Sequence, residues 1–179
     1  QQGHLAAAAW SAGRMDLLDA PFLAWHLSGG TTELLYVEPE GYTVRAEAVG
    51  GTSDISAGQL IDRTGVLLGL QFPAGKALDA LYDQSDACEN YRVKLQELTF
   101  SLSGIENQVK QRISSGEKPG NVARFTLDTI TSVVVRATQQ ARQRWPGLPV
   151  LCSGGVASNR QLRAAMSAQC QAVFAQPQY

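Results

Sequence analysis

The sequence of 179 residues predicts an α/β fold in which helices are layered on a mixed sheet. Three observations carry this. The first third holds three strand-like runs joined by tight turns, the middle places apolar residues at helical spacing, and the last third alternates long helix, buried strand, helix and strand. Hydrophobic residues make up 44% and charged residues 17%, a globular composition. Lys plus Arg is 15 against 16 for Asp plus Glu, a formal charge of −1. Net charge therefore gives no sign of a basic nucleic-acid module, although a local patch stays open. No apolar run approaches the roughly 18 to 20 residues of a membrane span, and no basic-plus-apolar signal opens the chain. Cys88, Cys152 and Cys170 are far apart and odd in number. They argue against a disulfide framework and fit a reducing, cytoplasmic compartment. The first residue is Gln rather than Met, and the end follows directly on a strand-like run. Both features predict a fragment of a longer chain.

Residues 22–28 read as a buried strand and 33–38 as a second, with Gly29, Gly30, Thr31 and Thr32 as a hairpin signal between them. Residues 42–49 alternate with period two and form a third strand, which Gly50 and Gly51 are expected to end. From Asp54, a candidate N-cap, Ile55, Ile61, Leu67 and Leu68 fall at helical spacing until Gly69 and Pro73. Residues 77–82 predict a short helix, and 83–120 are mixed, with a loop at 115–120. Residues 121–145 predict a long helix with Val122, Phe125, Ile130, Val133, Val134, Ala137 and Ala141 on one face. A short buried strand at 149–152, a Ser-Gly-Gly turn, a helix over 158–166 and a last strand at 172–175 complete the chain. This order is similar to that of the ribonuclease-H-like unit. Two such units facing each other across a cleft build the actin, sugar kinase and heat-shock chaperone superfamily.

Two glycine-rich turns can carry chemistry. At Ser28-Gly29-Gly30 two successive residues lack Cβ, so backbone amides can approach an anion such as phosphate. The same turn also serves as a plain hairpin. Ser153-Gly154-Gly155-Val156-Ala157-Ser158-Asn159 follows a buried strand and opens a helix, a standard nucleotide position. There the glycines suit a flat base and Asn159 its polar edge, or Ser158 or Asn159 simply caps the helix. Asp62 can accept from ribose hydroxyls or pair with Arg63. Pro73-Ala74-Gly75-Lys76 can form a backbone shelf under a nucleotide or only a turn. His4 and His26 are the only histidines. Two imidazoles fall short of the three or four ligands normal for zinc, and each serves equally as a structural residue. No nucleophile–His–acid triad is evident.

Taken in order, these pieces resemble the universal tRNA threonylcarbamoyladenosine transferase family, formerly called O-sialoglycoprotein endopeptidase or glycoprotease. The family's His-x-x-x-His and Ala-rich helix resemble residues 1–8, with the first His falling just before residue 1. Its Ser-Gly-Gly-His/Asn-Thr-Gln resembles 28–33, and its Asp-Asp-Ala-Ala-Gly-Glu-Ala-Phe-Asp-Lys resembles 54–63. Leu-Leu-Gly-Leu and Pro-Gly-Gly-Pro match 67–70 and 73–76, and Phe-Ser-Phe-Ser-Gly-Leu-Lys matches 100–106. Gly-Gly-Val-Ala-Ala-Asn is very similar to 154–159, and the final Pro-x-x-Tyr to 176–179. The resemblance implies an actin-like two-lobed parent of which residues 1–179 supply most of the second lobe, with a helical insertion at about 71–120. It implies an adenine nucleotide, threonylcarbamoyl-adenylate, in the cleft. Asp62 and Gly75 would sit at the ribose, Gly155 and Asn159 at the adenine, and Ser28, Gly29 and Gly30 near the phosphate. His4 would be one ligand of an iron or zinc ion, and His26 stands where some relatives place a metal-binding Tyr. The acceptor would be the N6 amine of an anticodon-loop adenosine in tRNA, with paralogous family proteins as further partners.

The chain departs from that pattern at Thr31, Gln59 (for Glu), Ala74 (for Gly) and Glu106 (for Lys), and the first His and a metal-binding Asp lie outside it. The expectation is therefore a fragment without turnover. A catalytically silent nucleotide-binding paralogue acting as a scaffold is the alternative. The old peptidase name lacks a chemical basis, since His-Glu-x-x-His needs a Glu base and residue 2 is Gln.

Overall fold

Nearly every side chain of β1 (Phe22–Leu27) is buried, which places that strand in the middle of the sheet with both faces covered. A computed structural model describes residues 2–89 and 91–176. Gln1 and residues 177–179 of the Pro-x-x-Tyr-like ending fall outside the described residues. β1 pairs antiparallel with β2 (Thr32–Glu40), and β2 with β3 (Thr43–Thr52), giving the expected meander. On the other side β1 pairs in parallel with β5 (Val150–Ser153), and β5 with β6 (Val173–Phe174). A two-residue strand, β4 (Thr99–Phe100), joins the outer edge of β3 in parallel. The six strands run β4-β3-β2-β1-β5-β6.

The period-two alternation of β1 divides the core. Leu23, Trp25 and Leu27 pack against α2 (Ala57–Leu67), α5 (Pro119–Arg144) and α6 (Arg160–Cys170). Phe22 and Ala24 face the opposite way, with Leu5, Ala8 and Ala9 of α1 (Gln2–Ser11). Trp25 is fully buried, and its Nε1 donates to Thr138 Oγ1 of α5 at 2.8 Å. That bond fixes the long helix across the sheet and satisfies a donor that burial would otherwise leave bare.

Several local expectations are corrected. Gly50 and Gly51 do not end β3, which runs on to Thr52 and pairs them with Leu34 and Glu33. The glycines are required because a Cβ at Gly50 would lie 2.5 Å from the Leu98 carbonyl, beside β4. Asp54 is not the N-cap of α2. Ser56 is, in a reciprocal capping box with Gln59. Asp54 instead accepts from Leu102 N at 2.9 Å and from the Ser101 hydroxyl, capping from a distance the helix α4 (Ser103–Ser114). The stretch 83–120 thus contains a strand and a whole helix. α3 spans Gly75–Tyr82, and α5 begins at Pro119, inside the expected loop. The last helix breaks at Asn159 into a 3-10 turn (Gly155–Ser158) and α6.

Thr138→Val should leave the buried Trp25 N–H without an acceptor and lower unfolding stability by about 1–3 kcal/mol, measured by urea denaturation. Adding Trp25→Phe should cost less than the sum of the single changes. Burial pushes the Asp54 carboxyl up, but hydrogen bonds from Ser101, Leu102, Ser103 and Ile55 outweigh it and hold its pKa at about 2. A depressed carboxylate stabilises the fold above its unfolded value near 4 and loses that stability as pH falls toward 2. Asp54→Asn should remove this acid-dependent stability, on the order of 1 kcal/mol after solvent screening, in melting curves taken across that range.

Candidate functional site

Because β1 and β5 are parallel, the loops leaving their carboxyl ends emerge side by side, the usual ligand position in an α/β sheet. Gly154 makes the close approach possible. Its φ is +99°, and a Cβ there would lie 2.1 Å from the Leu27 carbonyl oxygen. A third segment docks on the same spot. Gly58 in the first turn of α2 faces the Gly29 backbone, where a Cβ would lie 2.5 Å from Gly29 Cα. Ser56 Oγ donates to the Gly29 carbonyl at 2.7 Å, and Ala57 N to Thr32 Oγ1 at 2.8 Å. The N-terminus of α2 is thereby fastened to the hairpin.

These segments and the turn leading to α3 surround a cavity of about 440 Å³, within the usual size of small-molecule sites. Gly29, Asp62, Gly75, Gly155 and Asn159 all line it, so five of the seven residues assigned from the sequence to a nucleotide come together. Ser28 and Gly30 do not line it. The Ser28 hydroxyl accepts from Thr31 N at 3.1 Å and closes the hairpin turn. Asp62 is not paired with Arg63. Its Oδ1 accepts from Ala74 N at 2.9 Å, which holds the 73–76 shelf against α2, while Arg63 pairs with Glu106 at 3.0 Å. Asn159 is the N-cap of α6, its Oδ1 accepting from Gln161 N and Leu162 N at 3.1 Å each. Capping takes up the oxygen and leaves the amide nitrogen as the donor for a ligand.

Sequence reasoning named Lys76 only as part of the 73–76 shelf and missed Asp79 altogether. Among the described residues, Lys76 is the one cation lining the cavity. Asp79 of α3 also lines it, and its Oδ2 accepts from the Arg160 backbone and Nε at 3.2 and 3.1 Å. This link braces α3 against the start of α6. Asp79 Oδ1 is buried and has no hydrogen-bond partner among the described residues. The pair is separated by 81 residues, so no local pattern announces it.

His4 and His26 meet on the other face of β1. His26 has the parity of Phe22 and Ala24, which turns it toward α1, and both imidazoles line a second cavity of about 280 Å³ with Ser153, Gly154 and Gly155. Gly155 belongs to both cavities, so the pocket lined by the two histidines and the larger cavity adjoin. Glu33 stands opposite His26 in the hairpin register. Still, among the described residues no three His, Cys, Asp or Glu side chains gather into a set that could hold a metal ion. Two nitrogen donors are half of a zinc or iron site, and these residues do not make a metal centre on their own. Burial pushes the Cys152 thiol up, which removes it as a nucleophile.

A family model described as tRNA N6-adenosine threonylcarbamoyltransferase (TsaD) matches residues 2–179. The chain belongs to this family. The enzyme of that name from Enterococcus faecalis is 34% identical over 172 residues, covering 91% of this chain and 49% of the relative. That of Lactococcus lactis subsp. cremoris is 30% identical over 179 residues, covering 93% and 51%. The chain thus spans about half the length of the curated relatives it matches. Among solved structures, full-length HypF in its phosphate- and nucleotide-bound form superposes with a TM-score of 0.78 at 14% identity, over 97% of this chain and 33% of that one. Component A of the Acidaminococcus fermentans (R)-2-hydroxyglutaryl-CoA dehydratase gives 0.55, also at 14%, over 94% and 59%. At that identity the likenesses establish the fold, the α/β lobe expected from the element order. Two departures from the family pattern are absorbed locally. Gln59 completes the capping box, and Glu106 pairs with Arg63 and Lys110.

Gly154→Ala should lower stability by at least the 1–3 kcal/mol of a strained backbone, because a methyl group meets the Leu27 carbonyl. Gly155, with no atom near a built Cβ, should accept Ala within about 1 kcal/mol. Thermal melts of the two variants give the comparison.

Proposed function

We propose that this chain holds the adenylate part of threonylcarbamoyl-adenylate in the cavity between the 28–31 hairpin, the 73–76 shelf and the 154–159 loop. It would supply most of the second lobe of a two-lobed tRNA N6-adenosine threonylcarbamoyltransferase. The observation that carries this reading is the convergence of Gly29, Asp62, Gly75, Gly155 and Asn159 on one hollow in a chain of this family. The adenine lies over Gly155, with the Asn159 amide nitrogen donating to a ring nitrogen. The ribose hydroxyls donate to Asp62. The phosphate lies near Gly29, and Lys76 supplies the opposite charge.

In the transfer itself, the N6 amine of the acceptor adenosine attacks the carbamoyl carbon. A C–N bond forms, the bond from that carbon to the phosphate oxygen breaks, the amine loses a proton, and the adenylate departs as an anion. Within this chain, Lys76 and the amides at the start of α3 favour that departing charge. A metal would polarise the carbonyl of the transferred group. His4 and His26 supply only part of its donor set, so no step is assigned to them. The fragment by itself is expected to show no turnover. The partners this reading implies are tRNA and a paralogous family protein. No helix among the described residues is long and apolar enough to cross a membrane.

Calorimetry with AMP tests the reading on the fragment. Gly155→Val should fill the base position and abolish measurable binding while the fold persists. Lys76→Gln should weaken AMP by about 10-fold yet leave adenosine nearly unchanged, since it removes a charge contact worth roughly 1–2 kcal/mol. AMP bound with equal affinity by wild type and both variants would refute the cavity assignment.

A further inference from the structure

Most cations of the chain are held by carboxylates, as Arg112 is by Glu89 and Glu117 and Arg160 by Asp79 and Asp83. Seven have no such partner among the described residues; Lys76 and Arg163 stand apart, and the other five fall in two stretches of the chain. Arg92, Lys94, Arg136, Arg142 and Arg144 have no carboxylate partner among the described residues, and all belong to the extended segment 91–95 or to the C-terminal part of α5. Arg136, Gln139, Gln140 and Gln143 fall at i, i+3, i+4 and i+7 of α5, one face of the helix. Val134, Ala137, Thr138 and Ala141 form its buried face. The segment 91–95 lies alongside, joined by a hydrogen bond from Arg136 Nη2 to the Val93 carbonyl at 2.6 Å. Arg92, Lys94, Arg136 and the three glutamines line an open groove of about 700 Å³ that has no carboxylate in its lining.

The groove crowds like charges. Burial, and then the charge of Arg92, lower the Arg136 pKa, and Arg136 Nε is buried without an acceptor. A ligand with several anionic oxygens in the groove would relieve the crowding of like charges. The glutamine amides suit ribose hydroxyls as well as phosphate oxygens. Tyr91, next to Arg92, leaves 41% of its surface exposed, an aromatic beside cations as in single-strand binding surfaces. We propose that this groove binds the phosphodiester backbone of RNA. α5 leads into the first residue of β5, whereas the adenylate cavity lies at the far end of that strand, so the groove and the cavity are at opposite ends of the sheet. It would hold a long polymer away from the reacting group, and it rests on the proposed activity only for the identity of that polymer as tRNA.

The test is fluorescence anisotropy with a labelled, unmodified RNA stem-loop across a salt series. Arg92→Gln/Lys94→Gln, both on exposed positions, should weaken binding about 10-fold at low salt. It should also flatten the dependence of log affinity on log salt by about 1–2. Arg45→Gln/Arg163→Gln removes the same charge elsewhere and should stay within about twofold of wild type. Gln140→Glu, which places a carboxylate in the groove from the helix side, should act like the first variant and covers any loss of folding in it. The proposal fails if wild type binds no RNA at low salt, or if the groove variants lose no more than the control. It also fails if polyglutamate or phosphatidylserine vesicles bind with the same residue dependence. AMP calorimetry on the groove variants reads the cavity separately and should match wild type, so either reading can fall alone.

Discussion

Three backbone segments meet at the carboxyl ends of β1 and β5 with no side chain between them, and the arrangement of the site follows from that contact. Gly154 lies against the Leu27 carbonyl and Gly58 against the Gly29 backbone. The two approaches bring a hairpin, a helix start and a strand-to-helix loop to one place. The walls of the larger cavity are then set by links farther out: Asp62 to Ala74 N, Asn159 to the first amides of α6, and Arg160 to Asp79. The first two links each fix a polar residue through one of its atoms and leave another for a ligand. Asp62 and Asn159 are therefore structural and available for binding at once, and the two roles are not alternatives.

Much of this was legible in the sequence. The three-strand meander, the long α5 and the closing strand–helix–strand unit follow from periodicity and turn residues, because their partners are near in the chain and their faces are strongly apolar. The two glycine turns were legible as a pair because each follows a buried strand. α4 was not legible. Only Ile105 and Val109 of its twelve residues are buried, and its cap, Asp54, arrives from another part of the chain. Gly50 and Gly51 read as a strand end because the atoms that require them, Leu98 O and Thr32 O, are invisible to a local window. Asp79 was missed for the same reason, since its importance comes from Arg160.

The electrostatic organisation was hidden in a different way. A net charge of −1 mixes ion-paired side chains with unpaired carboxylates and cations, and of the unpaired cations Arg92, Lys94 and Arg136 share one groove beside α5. Composition averages the two populations, and only coordinates separate them. The same holds for the histidines. Two isolated imidazoles in the sequence become neighbours because strand parity turns His26 toward α1, where His4 sits.

The alternation along β1 also constrains how the site can vary. Trp25 and His26 are consecutive and belong to opposite sides of the sheet, one sealing the interior and one opening on the imidazole pocket. Inserting or deleting a single amino acid upstream in this strand would exchange them, driving an ionisable ring into hydrocarbon and an indole into water. The length of β1 is thus held constant, and the strand acts as the fixed ruler against which both cavities are measured.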